Sequence, residues 1–175
     1  MSVIGIFTGK DLNIMRKEGG SGYWVVKSHR ILPAKYALFI RNKRETWSIK
    51  DVNHGQAFLI GKISGCISAP DYPGRKIIQI SEYSIFPDTA QFKNAWKKLT
   101  GGQRYPISYM NDEYVWDKLS INIDDLEWLP FESSIQLTND CDDEKDLHDI
   151  ILEAKEIIAQ AANVDVNNVQ IQINF

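Results

Sequence analysis

The chain has 175 residues, of which 43% are apolar and 25% charged, a globular composition that excludes a collagen-like or intrinsically disordered chain. Nowhere does an apolar run approach the roughly 18 residues a membrane span needs, and two cysteines, Cys66 and Cys141, are too few for a disulfide framework. The net charge of −3 conceals an asymmetry: residues 1–110 carry 17 Lys and Arg against 7 Asp and Glu, net +10, while residues 111–175 carry 3 Lys against 16 Asp and Glu, net −13.

Each end of that asymmetry has an expected role. A basic face focuses potential and attracts phosphates. The acidic part can lie against it and neutralise it, or screen it until a ligand competes. A chain of this length buries about 70% of its unfolded surface, so a core without metal or disulfides is expected. The apolar patch at 3–7 is too short for the core of a signal peptide. With two unpaired thiols, a reducing, cytoplasmic setting is the expectation.

In chain order, residues 3–7 read as a short strand and 11–18 as a helical turn stopped by Gly19-Gly20-Ser21-Gly22. Tyr23-Trp24-Val25-Val26-Lys27-Ser28 is aromatic and β-branched and reads as a strand. Residues 35–41 hold the apolar run Ala37-Leu38-Phe39-Ile40, a further strand, and 46–49 is a weaker candidate. Residues 56–67 are the strongest strand, with Gly61 and Gly65 predicting a bulge or a bend. Asp71-Tyr72-Pro73-Gly74 is a turn, because Pro sets φ and Gly accepts positive φ, and it joins this strand to 75–86 as a hairpin.

Phe92, Ala95, Trp96 and Leu99 stand at helical spacing, which predicts a helix over 89–99 with Asp88 as its cap. Extended structure resumes at 105–110, and 124–130 reads as a turn followed by a short strand. The C-terminal part differs. Leu147, Ile150, Ile151, Ala154, Ile157, Ile158 and Ala161 define one helical face, with Asp142, Asp143 and Glu144 in the first turn, where the helix dipole favours anions. Val169, Ile171 and Ile173 alternate with Gln170, Gln172 and Asn174, which predicts a strand. The expected fold is therefore α+β: a small curved β-barrel with flanking helices over 1–135, and an acidic helix–strand unit over 142–175, docked on the barrel or on a partner.

A catalytic constellation is absent from the sequence. His29, His54 and His148 form no pair at metal-ligand spacing, so no metal site and no cofactor are expected. Neither Thr8-Gly9-Lys10 nor the 19–22 run makes a phosphate loop. Pro70-Asp71 followed by Glu82 resembles the opening of a nuclease carboxylate motif, but Ser84 stands where that motif needs Lys. A binding constellation is present instead. Trp24, Trp47, Tyr83 and Trp96 are expected to offer π-faces, on which bases stack with about 1–3 kcal/mol each. Arg41, Arg44, Arg75 and Arg104 are expected to hold phosphates, since guanidinium bonds them bidentately.

Gly22-Tyr23-Trp24-Val25-Val26-Lys27-Ser28 resembles the opening strand of EVE domains, and His54-Gly55-Gln56-Ala57-Phe58-Leu59-Ile60-Gly61-Lys62-Ile63 resembles their next landmark, a polar turn before a glycine-bearing strand. Residues 22–110 are in this way similar to the PUA-like superfamily, which holds the EVE, ASCH and YTH domains; His29-Arg30 replaces the usual Glu-Pro, and the ASCH pattern is missing. The stretch from Arg104 to Tyr109, with 124–131, resembles a pattern of bacterial proteins. The PUA-like resemblance implies a small curved barrel that binds RNA or places a modified base in an aromatic pocket. It marks Lys27, Ser28 and Trp47 as ligand positions, with Ser28 donating or accepting a hydrogen bond. The expected function is a non-catalytic binding module for RNA, single-stranded DNA or a modified nucleobase. The alternatives are a protein-interaction module using the acidic C-terminal helix and, further off, a nucleic-acid-processing enzyme.

Overall fold

The computed structural model describes residues 2–135 and 147–172, in two compact units, 1–141 and 142–175. The first unit is mixed α+β. Its strands are β1 (Ser2–Thr8), β2 (Ser21–Trp24), β3 (Ala34–Arg41), β4 (Ala57–Ser68), β5 (Lys76–Ile85), β6 (Ile107–Asn111) and β7 (Leu129–Pro130). They form one sheet in the order β2-β5-β4-β3-β1-β6, and β7 pairs with β5 beside β2. The β1–β3 pairing is parallel and every other pairing is antiparallel.

The central strands are buried on both faces, which is why Ala37-Leu38-Phe39-Ile40 is continuous rather than alternating. Leu38 and Ile40, with Val3, Phe7 and Ile60, pack under Trp96, Leu99, Val115 and Leu119. Ala37 and Phe39, with Ile4, Ile6, Leu59, Ile78 and Ile80, form a second core with Met15 and Ile31. The sheet curls because β4 is bent where its register with β5 shifts twice, between Lys62 and Gly65. Gly61 permits this packing, since a Cβ there would lie 2.8 Å from the Ile80 side chain.

The small curved barrel expected from sequence takes the form of a curled half-barrel. Among the described residues no ladder joins β2 to β6. The one-turn helix α2 (Ser28–Ile31) plugs that side instead. Ile31 is fully buried in the inner core, and the Arg30 guanidinium lies 5.0 Å over the ring of Tyr109 on β6.

The other helices follow from local chemistry. In α1 (Leu12–Glu18) the Asp11 carboxylate accepts from the Ile14 N–H at 2.8 Å, and Gly19 closes the helix at φ 77°. Helix α4 (Asp112–Leu119) was not read from the sequence. Asn111 caps it, Asp112 and Glu113 suit its first turn, and Val115 and Leu119 are its buried i, i+4 pair.

Several elements differ from the sequence reading. Helix α3 spans only Ala95–Thr100, because the Phe92 carbonyl accepts from the Ala57 N–H at the end of β4, and the Asp88 carboxylate accepts from the Gln56 amide instead of capping. β2 stops at Trp24 because its partner β5 begins at Lys76, opposite Trp24, leaving Val25 exposed. Residues 46–49 form a turn, with the Ser48 N–H donating to the Glu45 carbonyl, so no strand forms there.

The second unit contains α5 (Leu147–Ala162), where the apolar periodicity places a helix, followed by a 3-10 turn at Val166–Asn168. Ala159 and Val169 are buried, while Ile157 and Ile158 are exposed. Residues Val169 to Gln172 are not a strand. A strand needs a paired neighbour, and the described residues of this unit supply no other strand. Ile173 and Asn174, the acidic run 142–144 and Cys141 lie outside the described residues.

Because α2 closes the half-barrel through side chains, its apolar anchor carries that closure. Ile31→Ala is expected to lower unfolding stability by about 2–5 kcal/mol, the range for emptying a fully buried aliphatic site; the urea midpoint with an unchanged denaturant slope is the measurement.

Candidate functional site

Parallel neighbours β1 and β3 end side by side at Thr8 and Arg41, and the segments that follow each carry residues to one crevice at these carboxyl ends. A cavity of about 420 Å³ lies there. Phe7, Thr8, Gly9 and Pro106 form part of its lining, with Lys10 from the start of the β1–α1 connection, Tyr23 and Trp24 from β2, Asn42, Glu45 and Trp47 from loop 42–56, and Tyr72 and Arg75 from the β4–β5 turn.

Each wall is held by identifiable bonds. The Lys10 ammonium donates to both Glu18 oxygens, at 2.7 and 2.6 Å, and lies 4.4 Å over the Tyr23 ring. Tyr23 and Tyr72 meet at 4.5 Å between centroids. Burial, and then the neighbouring Glu18, Tyr72 and Asp71, push the Tyr23 phenol above its ordinary range, so it remains a neutral hydrogen-bonding group. The Trp24 indole N–H donates to the Ser21 hydroxyl at 3.0 Å. The turn bearing Tyr72 is closed by Gly74 at φ 73°, and the Arg75 guanidinium donates to the Tyr23 carbonyl at 2.9 Å. Trp47 is 57% exposed. Its loop approaches β1 closely because Gly9 lacks a Cβ, which would lie 2.9 Å from the Trp47 ring and 2.4 Å from the Ser48 hydroxyl.

Of the residues singled out in the sequence, Trp24, Trp47 and Arg75 converge on this cavity. Arg41, Tyr83 and Trp96 require correction, because all three are buried where no phosphate or base reaches them. Trp96 stacks on Phe7 at 4.7 Å and donates its indole N–H to the Gln103 carbonyl. The Tyr83 hydroxyl accepts from Arg16 at 3.0 Å. Ser28 is also buried, with its hydroxyl 3.7 Å from the Cys66 sulfur. Lys27, Arg44 and Arg104 are exposed and stand outside the cavity lining. Sequence reasoning missed Lys10, Tyr23, Asn42, Glu45 and Tyr72 as site residues. Tyr72 carried a usable signal, since an aromatic at a turn between Asp71 and Pro73 has little core to join.

Arg41 has a different task from the one expected. Its Nε and Nη2 each donate to an Asp51 oxygen at 2.8 Å, and its Nη1 donates to the Lys10 carbonyl at 2.6 Å. The guanidinium also lies 3.9 Å from the Phe58 ring centroid. One side chain thus ties the loop bearing Trp47 to the segment bearing Lys10. His54 braces the same loop. Its Nδ1 accepts from the Lys43 N–H at 3.1 Å, and its ring meets Phe7 edge-on at 5.2 Å. Burial, then Arg44 and Lys43, hold His54 below its ordinary pKa of 6.5.

Among the described residues no cluster of three or more His, Cys, Asp or Glu is placed to hold a metal ion, and no helix is long and apolar enough to cross a membrane. Compared with protein-family models, curated proteins and solved structures, the chain finds no match.

Two measurements check this bracing. Arg41→Ala removes the ion-pair partner of Asp51, whose Oδ1 keeps only the Val52 N–H, and the side-chain donor to the Lys10 carbonyl. Because Asp51 is 40% exposed and rehydrates, the expected loss is about 3 kcal/mol, the lower end for breaking such a pair, with Trp47 more readily quenched by acrylamide. For His54 the folded pKa lies below the unfolded one, so the unfolded chain takes up its proton first. Its contribution is complete above pH 6.5 and is lost as the pH falls from there through the folded pKa. The difference in urea midpoint between the wild type and His54→Phe is expected to shrink between pH 7.5 and pH 5 (roughly the window in which histidines titrate).

Proposed function

We propose that the chain is a non-catalytic binding module of PUA-like type, which takes an aromatic base and its phosphate from RNA, single-stranded DNA or a modified nucleotide. The observation carrying this reading is the meeting of Trp24, Trp47, Tyr23 and Tyr72 with Lys10 and Arg75 around one cavity of about 420 Å³. That volume falls within the roughly 300–1,000 Å³ of small-ligand sites. The aromatic rings suit a base of any sequence, because every base has a π-face.

Charge supports the same reading. Lys10 is neutralised by Glu18, whereas the Arg75 guanidinium has no carboxylate partner among the described residues, and an anionic group would satisfy it. The exposed Arg44 and Arg104 lie one on loop 42–56 and the other two residues before Pro106, where a longer strand would pass. The resemblance of residues 22–28 and 54–63 to EVE domains points the same way.

The test is binding of fluorescently labelled single-stranded RNA and DNA at two salt concentrations. Binding is expected to weaken steeply with salt. Trp47→Ala is expected to cost about 1–3 kcal/mol, one stacking platform, while Arg75→Ala flattens the salt dependence by about one phosphate contact. Absence of binding to either strand by the folded chain would overturn this reading for polymers, and an unchanged salt slope in Arg75→Ala would remove Arg75 from the site.

A further inference from the structure

Two polar groups in the cavity wall are left without a task by the bonds described above, and both belong to the loop that carries Trp47. The Asn42 amide is oriented by its own neighbour: its Oδ1 accepts from the Arg44 N–H at 3.0 Å, which leaves its Nδ2 donors unused among the described residues. Its backbone is fixed as well, through the Asn42 N–H to the Thr8 carbonyl at 2.8 Å. The Glu45 carboxylate has no partner among the described residues, while its backbone carbonyl is held by the Ser48 N–H at 3.1 Å and by Lys50 at 3.3 Å. Asn42 and Glu45 line the cavity together with Trp47, so its lining includes an amide that can donate and a carboxylate that only accepts.

This pattern discriminates among the bases. The Watson–Crick edge of guanine carries two adjacent donors, N1–H and the N2 amino group, next to the O6 acceptor. A carboxylate receives the paired donors, and an amide N–H reaches O6. Adenine offers one donor next to an acceptor, cytosine one donor next to two acceptors, and uracil a single N–H between two carbonyls; each sets an acceptor against the carboxylate. A polar site built for one hydrogen-bonding edge rejects rings lacking it, because its own groups are then left unpaired.

Resting on the reading of the cavity as a nucleotide site, we infer that it is specific for a guanine-type base, with Glu45 receiving the N1–H and N2–H donors, Asn42 donating to O6, and Arg75 holding the phosphate.

The experiment titrates the full chain with GMP, AMP, CMP and UMP separately, following tryptophan fluorescence and checking by calorimetry. GMP is expected to bind roughly ten- to a hundredfold more tightly than the other three, the discrimination of one good bidentate contact. Glu45→Gln, at an exposed position where the fold tolerates it, replaces one acceptor oxygen by a donor and is expected to bring GMP down to the level of the others. Trp47→Ala is expected to weaken all four alike. Binding without a guanine preference, or a preference surviving Glu45→Gln, overturns the base assignment and leaves the nucleotide site standing. Absence of binding by all four overturns both.

Discussion

A fully buried guanidinium is the interaction on which the site depends. Arg41 ends β3, and its planar fork bonds Asp51 with two nitrogens and the Lys10 carbonyl with a third. A charge in that position is tolerable only when its donors are nearly all satisfied. That requirement runs in both directions: the loops must lie where they satisfy the guanidinium, and so the guanidinium fixes where the loops lie. Loop 42–56 and the β1–α1 connection come from segments far apart in sequence, yet they share this one anchor. The Ile49 N–H to Gly9 carbonyl bond, and the pair linking Arg41 to Gln56 and Gly55, tighten the same junction.

Around this anchor the unit divides labour between its two cores. The helical cover of α3 and α4 protects one face of β1 and β3, so the middles of these strands can be apolar on both faces. The cavity sits at their ends, lined by residues of β1, β2 and the adjoining loops. Most of its aromatics come from a short strand and from loops: Tyr23 and Trp24 from β2, Trp47 from loop 42–56 and Tyr72 from a hairpin turn. Tyr23 and Trp24 rest partly on core residues, whereas Trp47 and Tyr72 stay exposed on their loops.

The sequence was most informative where one local rule governed the outcome. The β4–β5 hairpin, its bend near Gly61 and Gly65, the helical turn over 11–18 and the turn at Pro73-Gly74 all follow from residue type and spacing, and the structure has them. Elements decided by distant partners were misread. The end of β2 depends on where β5 begins, and the start of α3 depends on a bond from Ala57. The stretch after Val169 alternates like a strand, but alternation without a neighbouring edge makes none. Among the residues lining the cavity, Trp24, Trp47 and Arg75 are those singled out in the sequence as aromatics and a cation of the basic segment. Arg41, Tyr83 and Trp96 have the same composition, and only the three-dimensional packing tells a buried brace from a surface contact. Helix α4 was legible in Asn111-Asp112-Glu113 and the Val115/Leu119 pair, and went unread.

The closure of the half-barrel by α2 has a consequence for motion. Strands joined by a ladder part only when several backbone bonds break together, whereas β2 and β6 are bridged by the packing of Ile31 and the Arg30–Tyr109 contact. Such a seam opens at a free energy below that of global unfolding, because few bonds are broken when it does. Amide protons of α2 therefore exchange with solvent ahead of those in β3 and β4. Since β2 also carries Tyr23 and Trp24, this seam is continuous with one wall of the cavity, while the opposite wall is held by the Arg41 junction.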